Sequence, residues 1–313
     1  MKVVFVASGN KTVGTVSAFV NSQFESLKQQ GVDMHLFPII GKGWKAYAQS
    51  IPQLRNLIKK ERPDIVHAHY SICGVVAAMA CVGLRTKVVV SILGSFPHKS
   101  FKLYWVRFFV KHVWDSTITK SQRTSNQLAI DLPVIPNGVN LSQFYLIDKE
   151  EARRMLGLAN NKRYVIFVSD PKRPEKNFAL AQKSVELIND NNVELAPVYN
   201  KPHDEIVKYM CAADVLVLTS LNEGSPNVVK EAMACNCPIV STDVGDVSWI
   251  TNGVEGTYVA KTFSPSEFSA FLREALAFNR TTRGRDRLLK LELTTEKIAN
   301  KIISVYKGLV SKA

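Results

Sequence analysis

The sequence has no apolar run long enough for a helical membrane span, so none is expected. Met1 to Val6 is apolar but gives way to Ser8-Gly9-Asn10 too soon for the core of a secretory signal, and a cytoplasmic protein is expected. Cysteine is sparse: five residues, at 73, 81, 211, 235 and 237, with no C-x-x-C pair. An odd number without that spacing argues against a disulfide framework or a zinc knuckle and reads as reduced thiols in apolar cores. No Asp-x-Asp pair occurs, so the sequence offers no ready carboxylate cradle for a divalent cation, and no metal or other cofactor is expected.

Acid is scarce in the first half. Residues 1–146 hold 17 Lys plus Arg against 6 Asp plus Glu, whereas the remainder holds 23 against 21, so +11 of the net +13 falls on the first part. That asymmetry suggests an acidic partner for this half: nucleic acid, an anionic membrane face or a phosphorylated substrate. A solvated basic surface is the plain alternative. With 313 residues and 46% hydrophobic content the chain can bury two cores of ordinary size. Apolar runs at Lys2–Ala7, Met34–Phe37, Asp64–His69, Lys87–Ile92 and Ser116–Thr119 alternate with helical patterns. A second such series opens at Tyr164. This alternation predicts parallel sheets.

The most informative stretch is Val215 to Asp246. Val215–Leu218 reads as a buried strand, Asn222–Pro226 as a turn and helix start, with Ser225 as N-cap and Pro226 at the first helical position. The amides of Asn227 and Val228 should then face outward at the positive end of a helix, where anions bind, and Gly224 should let a ligand approach the backbone. Glu223 precedes the helix and Glu231 lies two turns along it. Two acids beside a bare phosphate would repel it. A ligand carrying hydroxyls next to its phosphates, such as a sugar nucleotide, accounts for them better, the alternative being a surface helix with solvated acids.

The run E-G-S-P-N-V-V-K-E-A-M-A-C-N-C-P-I-V-S-T-D-V-G resembles the signature of the retaining glycosyltransferases of family four, the group 1 glycosyl transferases. The resemblance implies an α/β fold of the GT-B type, two Rossmann-like domains whose parallel sheets face each other across a cleft. It also implies that Glu223 contacts the donor sugar, Glu231 the ribose, and the backbone of Ser225, Pro226, Asn227 and Val228 the diphosphate. Pro133–Asn140 is similar to the family's V-I-P-N-G-V-D segment closing the first domain. Where the family has G-R-x-x-x-x-K-G, this chain has Pro171 in the arginine position, leaving Lys176 and a shifted Arg173 as diphosphate cations. The family's glycine-rich first loop, which touches acceptor or donor, is reduced here to Gly9 and Gly14; the resemblance implies that role for Gly9, whereas a bare glycine pair reads as an ordinary turn. Its usual histidine before Gly94 is Leu93, so Gly94 and Ser95 are expected to meet the sugar through their amides or the Ser95 hydroxyl.

The expected organisation is an acceptor domain at 1–146, a donor domain at 147–296 and a final helix, 297–313, returning to the first domain. The shortened second domain resembles a bacterial branch associated with surface polysaccharide assembly. The implied partners are a UDP- or GDP-sugar and a saccharide or lipid-linked acceptor. The His67-x-His69 pair invites a metal reading, but no third ligand is suitably spaced, which favours packing or acceptor-side polarity. Phe101–Trp114 joins aromatics to Lys102, Arg107 and Lys111 and reads either as a core helix or as a helix lying on an anionic membrane surface. A nucleic-acid-binding protein would explain the charge but not Glu223 and Glu231, so no nucleic acid is expected. A sugar-nucleotide-binding module without turnover, or an isomerase on the same fold, remains the alternative.

Overall fold

Runs of β-branched residues that tolerate no water on either face set the strands. Val3, Val4, Phe5 and Val6 are fully buried, as are Val215 and Leu216, which is the pattern of strands covered by helices on both sides. The computed structural model describes residues 1–9, 15–41, 43–94, 96, 101–278 and 280–311. It divides into two units, Met1–Gly138 with Thr295–Ala313, and Val139–Thr294.

In the first unit, strands β1 (Lys2–Ser8), β2 (Asp33–Ile39), β3 (Ile65–His69), β4 (Lys87–Ile92) and β5 (Ser116–Thr119) alternate with helices α1 (Ala18–Gln29), α2 (Gly43–Glu61), α3 (Ser71–Cys81) and α4 (Phe101–His112), and α5 (Gln122–Leu128) follows. The strands form one parallel sheet in the order β2-β1-β3-β4-β5. Leu54 and Ile58 of α2, Val76 and Ala80 of α3, and Leu103 and Val106 of α4 share one core cluster with Val4, Val66 and Val90 of the sheet. Each fully buried Val, Leu or Ile of this cluster contributes about 1.5–3 kcal/mol.

The second unit repeats the plan. After α6 (Lys149–Leu156) come β6 (Arg163–Phe167), α7 (Phe178–Glu186), β7 (Val193–Pro197), α8 (His203–Ala212), β8 (Val215–Leu218), α9 (Asn227–Ala234), β9 (Ile239–Thr242), α10 (Val247–Thr251), β10 (Thr257–Ala260), α11 (Pro265–Phe278) and α12 (Gly284–Lys290). The sheet is again parallel, in the order β10-β9-β8-β6-β7. Local chemistry sets the boundaries: Asp148 caps α6 by accepting from the Glu150 and Glu151 amides, and Gly157 ends it in the left-handed region at φ 67°. Asp214 then locks α6 to β6 by accepting from Arg153 Nη2 at 2.7 Å and from the Tyr164 amide at 2.6 Å.

The last helix, α13 (Thr295–Val310), belongs to the first unit, where it packs on α1. Its start is tied by Ser26 Oγ, which donates to the Thr295 carbonyl at 2.9 Å, and its Tyr306 is fully buried. All five cysteines are free and buried, and burial pushes the Cys73, Cys81 and Cys237 thiols up to about 12. Among the described residues no helix is long and apolar enough to cross a membrane.

Candidate functional site

Counted within its own unit, each sheet has the strand order 2-1-3-4-5. The connections from the first and third strands therefore leave in opposite directions, opening a crevice at the carboxyl ends of those strands where ligands of open α/β sheets bind. In the second unit those strands are β6 and β8. The loop after β6 carries Arg173 and Lys176, and the loop after β8 carries Glu223 and leads into α9.

The Thr219 hydroxyl and one backbone bond join the two loops: Thr219 Oγ1 lies 2.9 Å from the carbonyls of both Lys176 and Asn177, sharing its one proton between them, and the Leu221 amide donates to the Glu175 carbonyl at 2.9 Å. On that frame Lys176 Nζ donates to Glu223 Oε1 at 2.5 Å. Lys176 and Glu223, 47 residues apart in sequence, thus form one ion pair beside the start of α9. Arg173 lies in the same turn but is exposed and pairs with Glu175, Nη2 donating to Oε1 at 2.6 Å.

The start of α9 departs from the expected capping. The helix begins at Asn227, and Pro226 stands at the N-cap with φ −67° and ψ 118°, where its ring offers no capping acceptor. The Ser225 hydroxyl is drawn elsewhere: it donates to Asp246 Oδ2 at 2.6 Å and accepts from Lys230 Nζ. Lys230 is fully buried and its ammonium lies 3.8 Å from Asp246. Burial lowers the Lys230 pKa and raises that of Asp246. Lys230 and Asp246 both fall in the Val215–Asp246 stretch, yet neither was expected at the site. The usable signal was a lysine on the apolar side of an amphipathic helix, which demands a buried counter-charge. Pro226 has no N–H, and the first-turn amides of a helix lack intrahelical acceptors. Asn227 and Val228 stay partly accessible, while Gly224, Ser225 and Pro226 are buried. Gly224 is covered by a close neighbour: Gly245 has φ 60°, and a Cβ there would come within 2.5 Å of the Gly224 carbonyl oxygen.

Glu231 is half-buried one turn into α9, and burial pushes its carboxyl up to about 7 against the weaker pull of Lys230. Among the described residues no hydrogen bond or ion pair engages its carboxylate, while its carbonyl accepts from the Cys235 amide at 3.1 Å. The second unit therefore brings together Lys176, Glu223, the start of α9 and Glu231. Gly9 and Gly94 lie in the first unit: the Gly9 amide is spent on the Ile39 carbonyl at 2.8 Å, and Gly94 is exposed. Ser95 and Gly14 lie outside the described residues.

In the first unit β3 carries a fully buried histidine pair, which the alternation of the strand places on one side. The His67 and His69 rings stack at 4.7 Å. His67 Nδ1 and Tyr306 Oη are 2.5 Å apart, and His67 Nε2 and Ser91 Oγ 2.8 Å. Among the described residues neither ring nitrogen of His69, both buried, has a hydrogen-bond partner. Burial holds the His67 pKa well below its ordinary value and that of His69 down to about 3, so both rings are neutral. Among the described residues no three His, Cys, Asp or Glu side chains are grouped to hold a metal ion.

Two family models match this chain: Glycosyltransferase Family 4 over residues 14–143 and Glycosyl transferases group 1 over residues 151–277. The chain belongs to the group 1 glycosyltransferases. It is 30% identical over 215 residues to TuaC of Bacillus subtilis, named as a teichuronic acid biosynthesis glycosyltransferase. That match takes in 59% of this chain and 54% of TuaC, so the chain spans about half the length of that relative. It is 28% identical to the UDP-Gal:alpha-D-GlcNAc-diphosphoundecaprenol alpha-1,3-galactosyltransferase of Escherichia coli, covering 72% of this chain and 70% of that one. HepE of Anabaena, solved in complex with UDP, superposes with a TM-score of 0.74 at 15% identity, covering 98% of this chain and all of that one. Two five-stranded parallel sheets flanked by helices are the GT-B fold expected of this group 1 glycosyltransferase.

Proposed function

We propose that this glycosyltransferase is a retaining, metal-independent enzyme that moves a sugar from a UDP-sugar to a saccharide or lipid-linked acceptor in cell-surface polysaccharide synthesis, acting in the cytoplasm. The observation that carries the reading is the convergence, at the crevice of the second unit, of the start of α9 with Pro226 at its N-cap, the Lys176–Glu223 pair and the half-buried Glu231 carboxyl. Each element meets one part of a nucleotide sugar. The α9 amides and Lys176 answer the diphosphate, Glu231 accepts hydrogen bonds from the ribose hydroxyls, and Glu223 orients the sugar. Uridine is favoured over guanosine by two of the similar proteins, one solved with UDP and one named for UDP-Gal. The acceptor is assigned to the first unit.

In the step itself the bond from the anomeric carbon to the leaving phosphate oxygen breaks. The acceptor hydroxyl attacks the same face, and its proton passes to that phosphate oxygen, leaving UDP and a glycoside of unchanged anomeric configuration. Negative charge grows on the diphosphate as the bond lengthens. Donors fixed in advance at that point, the α9 amides and the Lys176 ammonium, stabilise it without reorganisation. The same counter-charge supports metal independence, in a chain without an Asp-x-Asp pair.

The test is incubation with a panel of UDP- and GDP-sugars, following release of nucleoside diphosphate with and without chelator. Slow release from one UDP-sugar, unaffected by chelator, is expected, and proton NMR of the glycoside should show the donor's anomeric configuration. Binding without release would make the protein a sugar-nucleotide-binding module. Inversion, or dependence on added magnesium, would overturn the corresponding part of the reading.

A further inference from the structure

Helix α4 wears its apolar stripe on the outside. Within Phe101–His112 only Leu103 and Val106 are buried, whereas Phe101, Tyr104, Trp105 and Phe108 are 84, 58, 36 and 56% exposed. These four recur at i, i+3, i+4 and i+7, the spacing that gathers side chains on one helical face. An amphipathic helix ordinarily turns such a face inward. Here the inward side is already filled by Leu103 and Val106, which join the core cluster together with Trp114 just beyond the helix. The outer face is braced by ring contacts, Trp105 on Phe109 at 4.4 Å and Phe108 on His112 at 5.2 Å between centroids.

The charges beside the stripe are of one sign. Lys102 and Lys111 are exposed, and no Asp or Glu occurs from Phe101 to Trp114. Arg107 is already committed, its Nη2 donating to the Gln127 carbonyl at 2.8 Å. Around this helix residues 1–146 carry 17 cations against 6 acids. Aromatic side chains in line, with lysines beside them and a basic surround, match a bilayer interface: the rings settle at the headgroup level while the ammonium groups meet lipid phosphates.

We propose that this face of α4 docks the protein on an anionic membrane surface, seating Phe101, Tyr104, Trp105 and Phe108 among the headgroups with Lys102 and Lys111 against the phosphates. The proposal concerns the first unit alone and does not rest on the donor reading, since vesicle binding is measured without donor or acceptor.

The full chain is mixed with vesicles of equimolar phosphatidylglycerol and phosphatidylcholine, or of phosphatidylcholine alone, and sedimented. Binding to the anionic vesicles is expected at low salt and should weaken as salt shortens the Debye length, about 8 Å at physiological strength. Lys102→Gln and Lys111→Gln should each weaken it roughly fivefold. Phe101→Ser with Phe108→Ser should weaken it by at least about tenfold and leave the melting temperature unchanged, because both rings are exposed. A measurement on the wild-type protein covers the case in which that variant misfolds: lipids brominated near the headgroup should quench tryptophan fluorescence, and Trp105→Phe should remove most of the quenching. The proposal is overturned if the wild-type protein ignores anionic vesicles at low salt. It is equally overturned if the serine variant binds as the wild type does, or if sedimentation velocity shows a dimer that the serine variant abolishes while vesicles go unbound, which would make the face a contact between copies.

Discussion

Lys176 and Glu223 meet at 2.5 Å although they leave different strands, because the loops after β6 and β8 are stitched together by Thr219 and Leu221. On the proposed reading, a diphosphate at the start of α9 would compete with Glu223 for the Lys176 ammonium and release the carboxylate toward the sugar. The charge Lys176 answers is larger in the transition state than in the bound donor. Lys176→Ala is therefore expected to lower kcat about 100-fold, in the range for loss of one preorganised donor, and to raise the donor KM less. Adding Glu223→Gln to Lys176→Ala should restore donor affinity without restoring kcat. An unchanged kcat in steady-state assays would remove Lys176 from the chemistry.

Glu231 titrates in the folded protein at about 7 against an ordinary 4.5. A carboxyl whose pKa is raised by folding holds its proton better in the native state, so its contribution to stability is full below about 4.5 and is lost as pH climbs through 7. Glu231→Gln should leave the melting temperature unchanged at pH 4 and raise it at pH 8, by an energy on the order of 3 kcal/mol at most. Donor hydroxyls favour the ionised form. Donor binding near pH 7 should therefore release a proton, visible as a buffer-dependent enthalpy in calorimetry and absent in Glu231→Gln.

The alternating plan was readable because parallel strands covered on both faces must be apolar throughout, and Val3–Val6 and Val215–Leu218 are. The Val215–Asp246 stretch was readable because strand, turn and helix follow each other with no gap, so spacing along the chain converts directly to neighbourhood. Contacts between distant segments were not. Ser225 has the side chain of an N-cap, but Asp246, 21 residues on, takes its proton and leaves the cap to Pro226. Nothing near His67 announces Tyr306, 239 residues away. The period of α4 fixes that Phe101, Tyr104, Trp105 and Phe108 share a face, and only the packing of Leu103 and Val106 says that this face looks outward.

Lys230 and Asp246 lie buried behind the start of α9, 3.8 Å apart with Ser225 between them. Removing one partner strands the other's charge in a dry site. Lys230→Met should destabilise the protein by about 3–5 kcal/mol, and Lys230→Met with Asp246→Asn by clearly less than the sum of the singles. Additive losses in urea unfolding would show that the two charges do not depend on each other.

Gly245 occupies the left-handed region at φ 60°, with the Gly224 carbonyl 2.5 Å from where a Cβ would stand. Gly245→Ala must strain the backbone, by about 1–2 kcal/mol from conformation alone, and must also push on the Glu223–Gly224 segment. Weaker donor binding is expected together with the lower melting temperature. If calorimetry finds donor affinity intact in a destabilised Gly245→Ala, the turn serves folding and not the site.

The first unit should be labile to acid through its two buried histidines. His67 is held neutral far below its usual 6.5 and His69 down to about 3, both chiefly by burial. A depressed pKa contributes stability above the unfolded value, and that contribution is lost as pH falls from 6.5 toward the folded value, at about 1.4 kcal/mol per pH unit for each ring. The two differ in what a substitution leaves behind. His67 is held by Tyr306 and Ser91, so replacing it orphans both hydroxyls. His69 has no hydrogen-bond partner among the described residues, so His69→Leu removes an unsatisfied polar group and a proton site at once. The expected result is a melting temperature raised at pH 5 by more than at pH 8, whereas Tyr306→Phe lowers it at both by leaving His67 Nδ1 unpaired, at a cost of about 1–3 kcal/mol. A His69→Leu variant as acid-sensitive as the wild type would mean that another group sets the lower pH limit of the fold.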